Sequence, residues 1–551
     1  MAKRTAAAAA IAIVLAAVPQ VVSAYPRGDA DHSDAYIHTD DPLTTLHAEV
    51  LRPSGIGKTK TPVIMTVSPY FTEGLVTEGS DRFYDFLDLT QILEKGYTYI
   101  AVDLPGFGGS SGCNDWGGAR EQGAVKVAVE WAASQPWSTG RVALLGKSYD
   151  AWTGLMGIAQ QPRGLAAVVA MEPVYSGYRY LYNDGVRFAN SVGTPLIFQA
   201  YDAEPGFPTR PPRYIVNVSP QFWCYAPNLA LQQQDDPGAA FWKERDLLPA
   251  ARGKETPLFL TQGFLETNTK PDAAFAFFNR LSGPKRAWFG QFDHVRGWEK
   301  RGSRYLTGRR VFVEELMRFL DRHLKGVASS RHDQAVAVQD NTGRYRAEWR
   351  WPPKDVARLW STLKRGTYTD DGTNVATGDG AGHGVWSFSQ PVPYDVWMSG
   401  EPVLDVVVDA PVSRANLVAN VYDVAPSGRA TLISRGAHLL RGFGRQRATM
   451  KLYGQDWLIE KGHRIGVLVS GANSEWWVHV PTGAPVNIAS AKIRLPFLTQ
   501  RRTRFLDGEK TPRLESYLRD ALLGVEPMTI RDRARPFRLP APLMAPRAEI
   551  D

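Results

Sequence analysis

The sequence predicts an α/β domain built on a mainly parallel sheet, interrupted by an insertion and followed by an all-β sandwich. Between residues 35 and 324, short apolar runs alternate with segments of helical spacing, which is typical of parallel strands joined by helical crossovers. This alternation stops between residues 172 and 252, where Tyr, Phe, Pro and Asp are frequent. Beyond Gly326, short strands separated by Gly, Pro, Asn and Asp indicate an antiparallel sandwich.

Composition indicates a folded, multidomain protein. The chain has 551 residues, with 44% hydrophobic and 22% charged residues, and at this length roughly two to four domains are expected. The net charge of +8 comes from 64 basic and 56 acidic residues. The densest basic cluster, Gln500 to Arg504, is interpreted as a solvated loop, so we expect no nucleic-acid partner.

The first 24 residues have the pattern of a secretory signal peptide. Lys3 and Arg4 precede an apolar stretch from Ala6 to Val18, and a small-residue motif ends at Ala24 before Tyr25. The stretch is shorter than the roughly 20 residues of a membrane-spanning helix. An uncleaved anchor is the alternative. We expect a secreted, extracellular protein with no membrane partner after cleavage.

The elements follow from local periodicity. For example, Ala124, Val127, Ala128 and Trp131 lie on one side of a predicted helix. Strands of the sheet are predicted at residues 35–38, 43–51, 63–67, 99–102, 141–145, 166–170, 257–261 and 286–289, helices at 121–133, 154–159, 271–281 and 310–324, and sandwich strands at 402–408, 416–424, 464–469 and 486–493.

Ser148 lies where a strand runs through Gly146 into a helix. A serine on such a sharp turn projects above the sheet, and small neighbours are needed for clearance. The adjacent helix N-terminal amides can stabilise an oxyanion. The GxSxG form is incomplete because Asp150 replaces the second glycine, and a serine N-cap on an ordinary helix is the alternative.

Glu266 and His294 complete a possible triad with Ser148. His294 is the one histidine that directly follows a predicted sheet strand, and Glu266 lies in the loop after the preceding strand. The 28 residues between them leave room for one helix and one strand, so both loops reach the same sheet edge. The order Ser, acid, His is that of α/β-hydrolases. Taken singly, Glu266 would be interpreted as a solvated loop acid and His294 as a packed loop histidine.

Several stretches along the chain together carry a family resemblance. They are the elbow 146–149, the segment 68–70, the Gly-rich loop 103–112, the helix and turn 130–140, the loops 263–270 and 293–294 and the C-terminal motifs 422–424 and 426–428. They resemble the X-Pro dipeptidyl-peptidases and cocaine-esterase-like hydrolases, the CocE/NonD family of α/β-hydrolases, in which 68–70 matches the oxyanion tyrosine segment, 263–270 the acid loop and 293–294 the histidine loop. The similarity covers nearly all of residues 34 to 495. Ala151 replaces a family glycine, and Glu266 replaces the usual aspartate.

The resemblance implies an α/β-hydrolase fold with a cap insertion and a C-terminal jelly roll. The implied boundaries are a signal peptide at 1–24, a catalytic domain at 25–171 and 253–326, a cap at 172–252 and a jelly-roll sandwich at 327–551. Ser148 would be the nucleophile, His294 the base and Glu266 the orienting acid. The backbone N–H of Tyr149 and, by family similarity, the Tyr70 hydroxyl would form the oxyanion hole.

The substrate is expected to be a small peptide or ester, with no metal and no cofactor. An X-Pro dipeptidyl-peptidase is the first interpretation. An esterase or α-amino-ester acylase, an acyltransferase and an inactive carbohydrate-binding protein are the alternatives. Rings of the insertion are candidates for an apolar pocket: Tyr175, Tyr178, Tyr180, Tyr182, Phe188, Phe222, Trp223 and Tyr225. Candidates for binding a substrate amine are Asp150, Glu172, Asp184, Asp202 and Glu204.

The two cysteines are Cys113, at the end of the Gly-rich loop, and Cys224, in the insertion. An exported protein meets an oxidising environment, so a disulfide between cap and core is a reasonable prediction. Two separate buried thiols are the alternative.

Overall fold

The computed structural model describes residues 29–71, 84–202, 222–357, 360–373, 383–519, 528–529 and 536–539, without the side chains of 84, 199–202, 222–225 and 528–529. The predicted signal peptide, residues 1–24, lies outside the described residues. In the described part of the chain, no helix combines the length and the apolar character that crossing a membrane requires.

The N-terminal part is organised around one large sheet. In chain order the strands of this N-terminal part, inside and outside the large sheet, are β1 (Ala30–His38), β2 (Thr45–Pro53), β3 (Thr61–Ser68), β4 (Thr98–Asp103), β5 (Ser138–Lys147), β6 (Leu165–Met171), β7 (Tyr182–Asn183), β8 (Val186–Arg187), β9 (Leu258–Gly263), β10 (Lys285–Gly290), β11 (Lys300–Arg301), β12 (Arg304–Tyr305), β13 (Val336–Gln339) and β14 (Tyr345–Glu348).

Among the described residues, ten strands form this sheet in the order β1-β2-β4-β3-β5-β6-β9-β10-β13-β14. The pairs from β4 through β13 are parallel, and the two ends of the sheet pair antiparallel. All eight strands predicted for the sheet overlap observed ones. Because β5, β6, β9 and β10 run parallel as neighbours, their carboxyl ends meet at one edge of the sheet.

Period-two alternation divides each central strand between two hydrophobic cores. Val63 and Met65 of β3 face one cluster, which contains α2 (Ala119–Ser134) and α3 (Tyr149–Gln160). Ile64 faces the opposite cluster, which contains α9 (Phe312–Leu320). Both faces are covered, which explains why these strands are continuous apolar runs in the sequence.

The remaining helices join different clusters: residues of α8 (Ala274–Arg280) pack with those of α2 and α3, and residues of α10 (Pro512–Arg519) pack in the core of the C-terminal part. Between β6 and β9, the described helices α4 to α7 and the β7–β8 hairpin lie outside the large sheet. In chain order the other helices are α1 (Tyr84–Thr90), α4 (Gly177–Leu181), α5 (Thr194–Asp202), α6 (Phe222–Leu231), α7 (Ala240–Glu244), α8 (Ala274–Arg280) and α10 (Pro512–Arg519).

The C-terminal part consists of antiparallel sheets. Residues of β17, β20 and β26 share one hydrophobic cluster with residues of β18, β21 and β25, which is the packing of a sandwich. Its strands are β15 (Val356–Ala357), β16 (Trp360–Thr362), β17 (Gly366–Thr369), β18 (Gly384–Phe388), β19 (Val396–Gly400), β20 (Val403–Ala410), β21 (Asn416–Val424), β22 (Arg429–Leu439), β23 (Gly444–Lys451), β24 (Gln455–Ile459), β25 (Arg464–Ser470), β26 (Pro485–Arg494), β27 (Phe497–Leu498) and β28 (Met528–Thr529).

The boundary between the two parts differs from the predicted one. The sequence pattern predicted it after residue 326, whereas β13 and β14 extend the large sheet to Glu348. β13 pairs parallel with β10, and β14 returns antiparallel beside it. These short strands follow a loop without helical spacing, so periodicity alone assigned them to the sandwich.

His47 ties the N-terminal hairpin to the Gly-rich loop. Its Nδ1 lies 2.8 Å from Asp103 Oδ2 and its Nε2 lies 2.9 Å from Asp34 Oδ1, and the side chain is 2% exposed. Asp103 Oδ2 also accepts a 2.8 Å bond from the Gly109 N–H. A Cβ at Gly108 would lie 2.4 Å from this carboxylate, so the loop needs glycine there. Burial alone would lower the pKa of His47, but the bonds to Asp103 and Asp34 raise it to about 9.

We expect His47 to make stability depend on pH. Its folded pKa of about 9 exceeds the ordinary histidine pKa of 6.5, so its contribution is complete below pH 6.5 and is lost as the pH rises through about 9. The contribution is on the order of 3 kcal/mol. Chemical denaturation of the wild type and His47→Gln at about pH 6 and about pH 10 measures it. A stability difference that does not change with pH would contradict the charged ring.

Candidate active site

Ser148 is held in a strained conformation between β5 and α3. Its φ of 66° and ψ of −122° lie in a region that non-glycine residues rarely adopt. Its N–H donates to the Met171 carbonyl of β6 at 2.9 Å, which fixes the turn to the neighbouring strand. A Cβ at Gly146 would lie 2.4 Å from Asp150, so a larger residue does not fit there. Ser148 is 9% exposed at the carboxyl edge of the sheet.

A buried carboxyl group fixes Tyr149, the residue after Ser148. The Tyr149 hydroxyl donates to Glu121 Oε2 at 2.7 Å, and the N–H groups of Trp116 and Gly117 donate to the same carboxyl at 3.0 and 2.8 Å. Burial and the nearby Asp115 raise the pKa of Glu121 to about 7. These bonds anchor the first turn of α3, whose backbone N–H groups face the edge of the sheet where Ser148 lies.

Glu266 and His294 form a buried acid–base pair. His294 Nδ1 lies 2.7 Å from Glu266 Oε2, and the two side chains are 19% and 0% exposed. Glu266 Oε1 accepts from the backbone N–H groups of Asn268 and Thr269. Burial raises the pKa of Glu266, but His294 and these backbone donors outweigh burial and lower it below its usual value. Glu266 is therefore ionised at neutral pH and holds the imidazole in one orientation.

The histidine loop contacts the serine turn. Lys147 Nζ, one residue before Ser148, donates to the His294 carbonyl at 3.4 Å. Within the described residues no hydrogen bond joins the Ser148 hydroxyl to the imidazole, and in unliganded enzymes such contacts are often long. The three residues predicted from the sequence therefore lie at one edge of the sheet, on the ends of β5, β9 and β10.

Asp293 is engaged elsewhere. Its Oδ2 lies 3.2 Å from Arg513 Nε, and its Oδ1 accepts from the His294 N–H at 2.9 Å. Burial and the nearby Glu266 raise the pKa of Asp293. The ring nitrogen Nδ1 of His294 bonds Glu266 and not its sequence neighbour.

A histidine–carboxylate contact is not diagnostic in this molecule. Within the described part of the chain, His47, His383, His438, His463 and His479 each lie 2.9 Å or less from an aspartate. His294 differs from these five because it follows a central strand of the parallel sheet. Position in the fold therefore distinguishes the candidate base.

Tyr70 lies beside the serine turn. Its ring centroid is 6.5 Å from that of Tyr149, edge to face, and 6.0 Å from that of Phe198. The ring centroid of Phe198, on α5, lies 4.8 Å from that of Tyr149. Sequence analysis did not include Phe198 among the candidates, because a single phenylalanine in an insertion gives no signal of its own.

The aromatic residues predicted to wall a pocket instead form core, which corrects that expectation. Tyr178 stacks on Tyr182 at 5.4 Å and packs against Trp242, while Phe188 packs against Trp477 of the C-terminal part. Tyr175, Tyr178, Tyr180, Tyr182 and Phe188 are each 8% exposed or less. The side chains of Phe222, Trp223 and Tyr225 lie outside the described residues.

The candidate amine-binding acids are dispersed. Asp150 is 1% exposed within α3, and Glu172 is fully buried behind Glu266. Asp184 bonds His438 of β22. The Asp202 side chain and Glu204 lie outside the described residues. Sequence reasoning missed Lys270, a fully buried acid-loop residue that donates to the Tyr180 carbonyl at 2.9 Å. Burial lowers the pKa of Lys270 to about 7.

Cys113 is disulfide-bonded. The chain contains one other cysteine, Cys224, whose side chain lies outside the described residues. Asn228, on the same helix as Cys224, donates to the carbonyl of Asn114 at 2.8 Å. The cap helix α6 is therefore held against the segment that contains Cys113, as the predicted pairing of Cys113 with Cys224 requires.

A possible cation-binding group lies far from the serine turn in the sheet order. The ligand atoms of His32, Asp34 and Glu49 lie within 4.8 Å of one another on β1 and β2. Asp34 already bonds His47, and all three residues have further interactions. These contacts are consistent with a structural cluster at the edge of the sheet.

Comparison with known families and proteins agrees with this architecture. Residues 40–296 match the X-Pro dipeptidyl-peptidase (S15 family). Residues 222–515, more than half of the chain, match the X-Pro dipeptidyl-peptidase C-terminal non-catalytic domain.

Similar curated proteins include two putative Xaa-Pro dipeptidyl-peptidases. The one from Streptomyces avermitilis is 23% identical over 448 residues, which cover 70% of this chain and 62% of that protein. The one from Bacillus cereus is 20% identical over 524 residues, which cover 82% of this chain and 86% of that protein.

Solved structures share the fold at low sequence identity. An aminopeptidase from a marine sediment Thaumarchaeota archaeon has a TM-score of 0.68 at 16% identity, covering 88% of this chain and 99% of that one. An α-amino acid ester hydrolase has a TM-score of 0.66 at 15% identity, covering 88% and 100%. The predicted fold class is confirmed. With family models matching residues 40–296 and 222–515, the chain belongs to the X-Pro dipeptidyl-peptidase family.

Proposed function

We propose that this protein is a secreted serine hydrolase that acts through an acyl-enzyme, with the specificity of an X-Pro dipeptidyl-peptidase. The observation that carries the proposal is the 2.7 Å contact between buried Glu266 and His294, beside the strained turn of Ser148. A serine, an ionised acid and a partly exposed imidazole at one sheet edge are the components of nucleophilic acyl transfer.

In the first half-reaction His294 removes the proton from the Ser148 hydroxyl as its oxygen attacks the substrate carbonyl. Glu266 keeps Nδ1 protonated and stabilises the imidazolium that forms. His294 then gives the proton to the leaving amine or alcohol as the carbon–nitrogen or carbon–oxygen bond breaks. Water, deprotonated by His294, attacks the resulting ester and releases the acid, and the proton returns to Ser148.

The negative charge that develops on the carbonyl oxygen needs fixed donors. We assign this role to the Tyr149 N–H and the Tyr70 hydroxyl. The bond from Tyr149 to Glu121 supports the first by holding the α3 terminus, and the ring contact between Tyr70 and Tyr149 supports the second. Such preorganised donors usually contribute the largest share of rate enhancement.

Family membership and the two bacterial relatives support peptide substrates with a penultimate proline. The scaffold equally accommodates an esterase or α-amino-ester hydrolase. Among the described side chains, Asp150 and Glu172 are too buried to bind a substrate amine at the surface of the site. A requirement for a free amine separates the dipeptidyl-peptidase and the α-amino-ester hydrolase from a simple esterase, and cleavage of an amide bond separates the peptidase from both.

Secretion is proposed from the signal-peptide pattern at residues 1–24. We expect protein recovered from culture medium to begin at Tyr25, because Val22-Ser23-Ala24 forms the small-x-small cleavage pattern. N-terminal sequencing measures this. A chain found only in the membrane fraction with Met1 retained would show an uncleaved anchor instead.

Ser148→Ala is expected to abolish labelling by a fluorophosphonate probe and to lower turnover by at least about 10³-fold, because the nucleophilic oxygen is lost. Ser134→Ala, at the end of α2, is the control and should label normally. Labelling at another serine in the Ser148→Ala protein would contradict the assignment.

Glu266→Gln is expected to lower kcat by about 10³- to 10⁴-fold with little change in Tm, since an amide no longer fixes the imidazole tautomer or stabilises its charge. Asp293→Asn is the matched control, because Asp293 bonds Arg513 and not the ring. Greater loss of kcat in Asp293→Asn than in Glu266→Gln would reverse the roles of the two acids.

An Ala-Pro anilide, its N-blocked form and a short p-nitrophenyl ester distinguish the substrate classes in one preparation. We expect the free anilide to be cleaved with at least about tenfold higher kcat/KM than the blocked one, since losing a charged contact costs roughly that factor. Turnover of the ester with no cleavage of either anilide would favour the esterase.

A further inference from the structure

Glu172 is a buried carboxyl group that the mechanism above does not use. It follows β6 directly, with a positive φ of 48° and no exposed surface. Its N–H donates to the Thr261 carbonyl of β9 at 3.0 Å. The carbonyl of Met171, the preceding residue, accepts the N–H of Ser148. Glu172 therefore lies between the serine turn and the acid loop, which both depend on the same strand ends.

The hydrogen bonds of Glu172 distinguish its two oxygens. Oε2 accepts from the Gln262 side-chain amide at 2.9 Å and from the Gly263 N–H at 3.0 Å. Oε1 accepts from the Thr261 hydroxyl at 3.4 Å, and Glu266 is the neighbouring carboxyl group that acts on Glu172 through its charge and through side-chain hydrogen bonding. Oε2 accepts two bonds of 3.0 Å or less, whereas Oε1 accepts one bond of 3.4 Å, so Oε1 is the oxygen better able to carry a proton.

Two carboxyl groups in contact need a proton between them. Glu266 is ionised by His294 and two backbone N–H groups, whereas no lysine or arginine among the described residues forms a salt bridge with Glu172. Burial and the Glu266 charge raise the pKa of Glu172 well above its usual value. A neutral carboxylic acid in such a site can donate a hydrogen bond at neutral pH.

We propose that Glu172 is a positioning residue whose protonated Oε1 donates a hydrogen bond to Glu266 and holds that carboxylate against His294. The bond gives the acid a fourth donor besides His294, Asn268 and Thr269. On the other side, Tyr175 donates to Gln262 at 3.0 Å, so a continuous chain of hydrogen bonds runs from the segment after β6 to the imidazole.

Several titratable and charged groups lie near Glu172 and Glu266. Glu266 and Asp293 act on Glu172 from the acid and histidine loops, and Tyr175 and Tyr345 are the titratable tyrosines near it. Lys270 interacts electrostatically with Glu266. The other nearby groups are His294, bonded to Glu266, and Arg513, paired with Asp293.

The test compares Glu172→Gln with Glu172→Met. In Glu172→Gln the amide oxygen can replace Oε2 and the amide nitrogen can donate to Glu266, so kcat/KM should stay within about threefold of wild type. Glu172→Met removes the donor at similar volume and should lower kcat by about 10- to 100-fold with KM little changed. In the wild type an alkaline ionisation of Glu172 should reduce kcat at high pH, and Glu172→Gln should lack it.

Infrared spectroscopy at about pH 8 gives a readout that does not need turnover. The wild type should show the carbonyl stretch of a buried protonated carboxyl group, and Glu172→Gln should lose it while the Tm is kept. An unchanged spectrum in Glu172→Gln would overturn the inference, because Glu172 would then be ionised. Equal loss of activity in Glu172→Gln and Glu172→Met, or full activity in Glu172→Met, would also overturn it.

The role in turnover rests on the proposed hydrolase function, but the proton on Glu172 does not. A wild type that labels at no serine and turns over no acyl substrate would refute the function, and the infrared comparison would still decide the protonation of Glu172. A wild type that is active with no infrared difference would refute this inference alone.

Discussion

The whole site depends on one constraint, the shared carboxyl edge of β5, β6, β9 and β10. Each of these parallel neighbours leads into a polar residue of the site, with Ser148 after β5, Glu172 after β6, the Glu266 loop after β9 and His294 after β10. Parallel register between these strands brings the four residues to the same edge. The positive φ angles of Ser148 and Glu172 are sustained because both backbones are hydrogen-bonded into adjacent strands.

The hydrogen-bond partners of each acid near this edge then determine whether that acid is ionised. Glu266 is fully buried and is ionised because an imidazole and two backbone N–H groups surround it. Glu172, at the end of the neighbouring strand, receives only neutral donors and stays protonated under our proposal. Glu121 follows the same logic under Tyr149, where a Tyr hydroxyl and backbone N–H groups do not offset burial completely. Similar residues thus acquire different charges from their surroundings.

The insertion and the C-terminal sandwich support the acid loop from outside. Tyr180 of the insertion donates to the Asn268 side chain at 3.0 Å, and Asn190 donates to the Thr267 carbonyl. From the sandwich side, Arg513 reaches the Leu265 carbonyl at 3.4 Å. Glu266 accepts from Asn268, Thr269 and His294 only while its loop keeps this position, so these contacts give the parts outside the sheet a direct physical link to the site.

The sequence by itself determined the order of strands and helices, because burial on both faces of the sheet imposes apolar runs, and it determined the candidate triad, because Ser148, Glu266 and His294 each follow a predicted strand. Only the tertiary structure decided which side chains are core, placing Tyr178 and Phe188 against Trp242 and Trp477, and only it extended the sheet to Glu348. The proton assigned to Glu172 likewise has no local signal. Burial and pairing arise from residues about 90 positions apart, as between Glu172 and Gln262, and such contacts exist only once the strands are assembled.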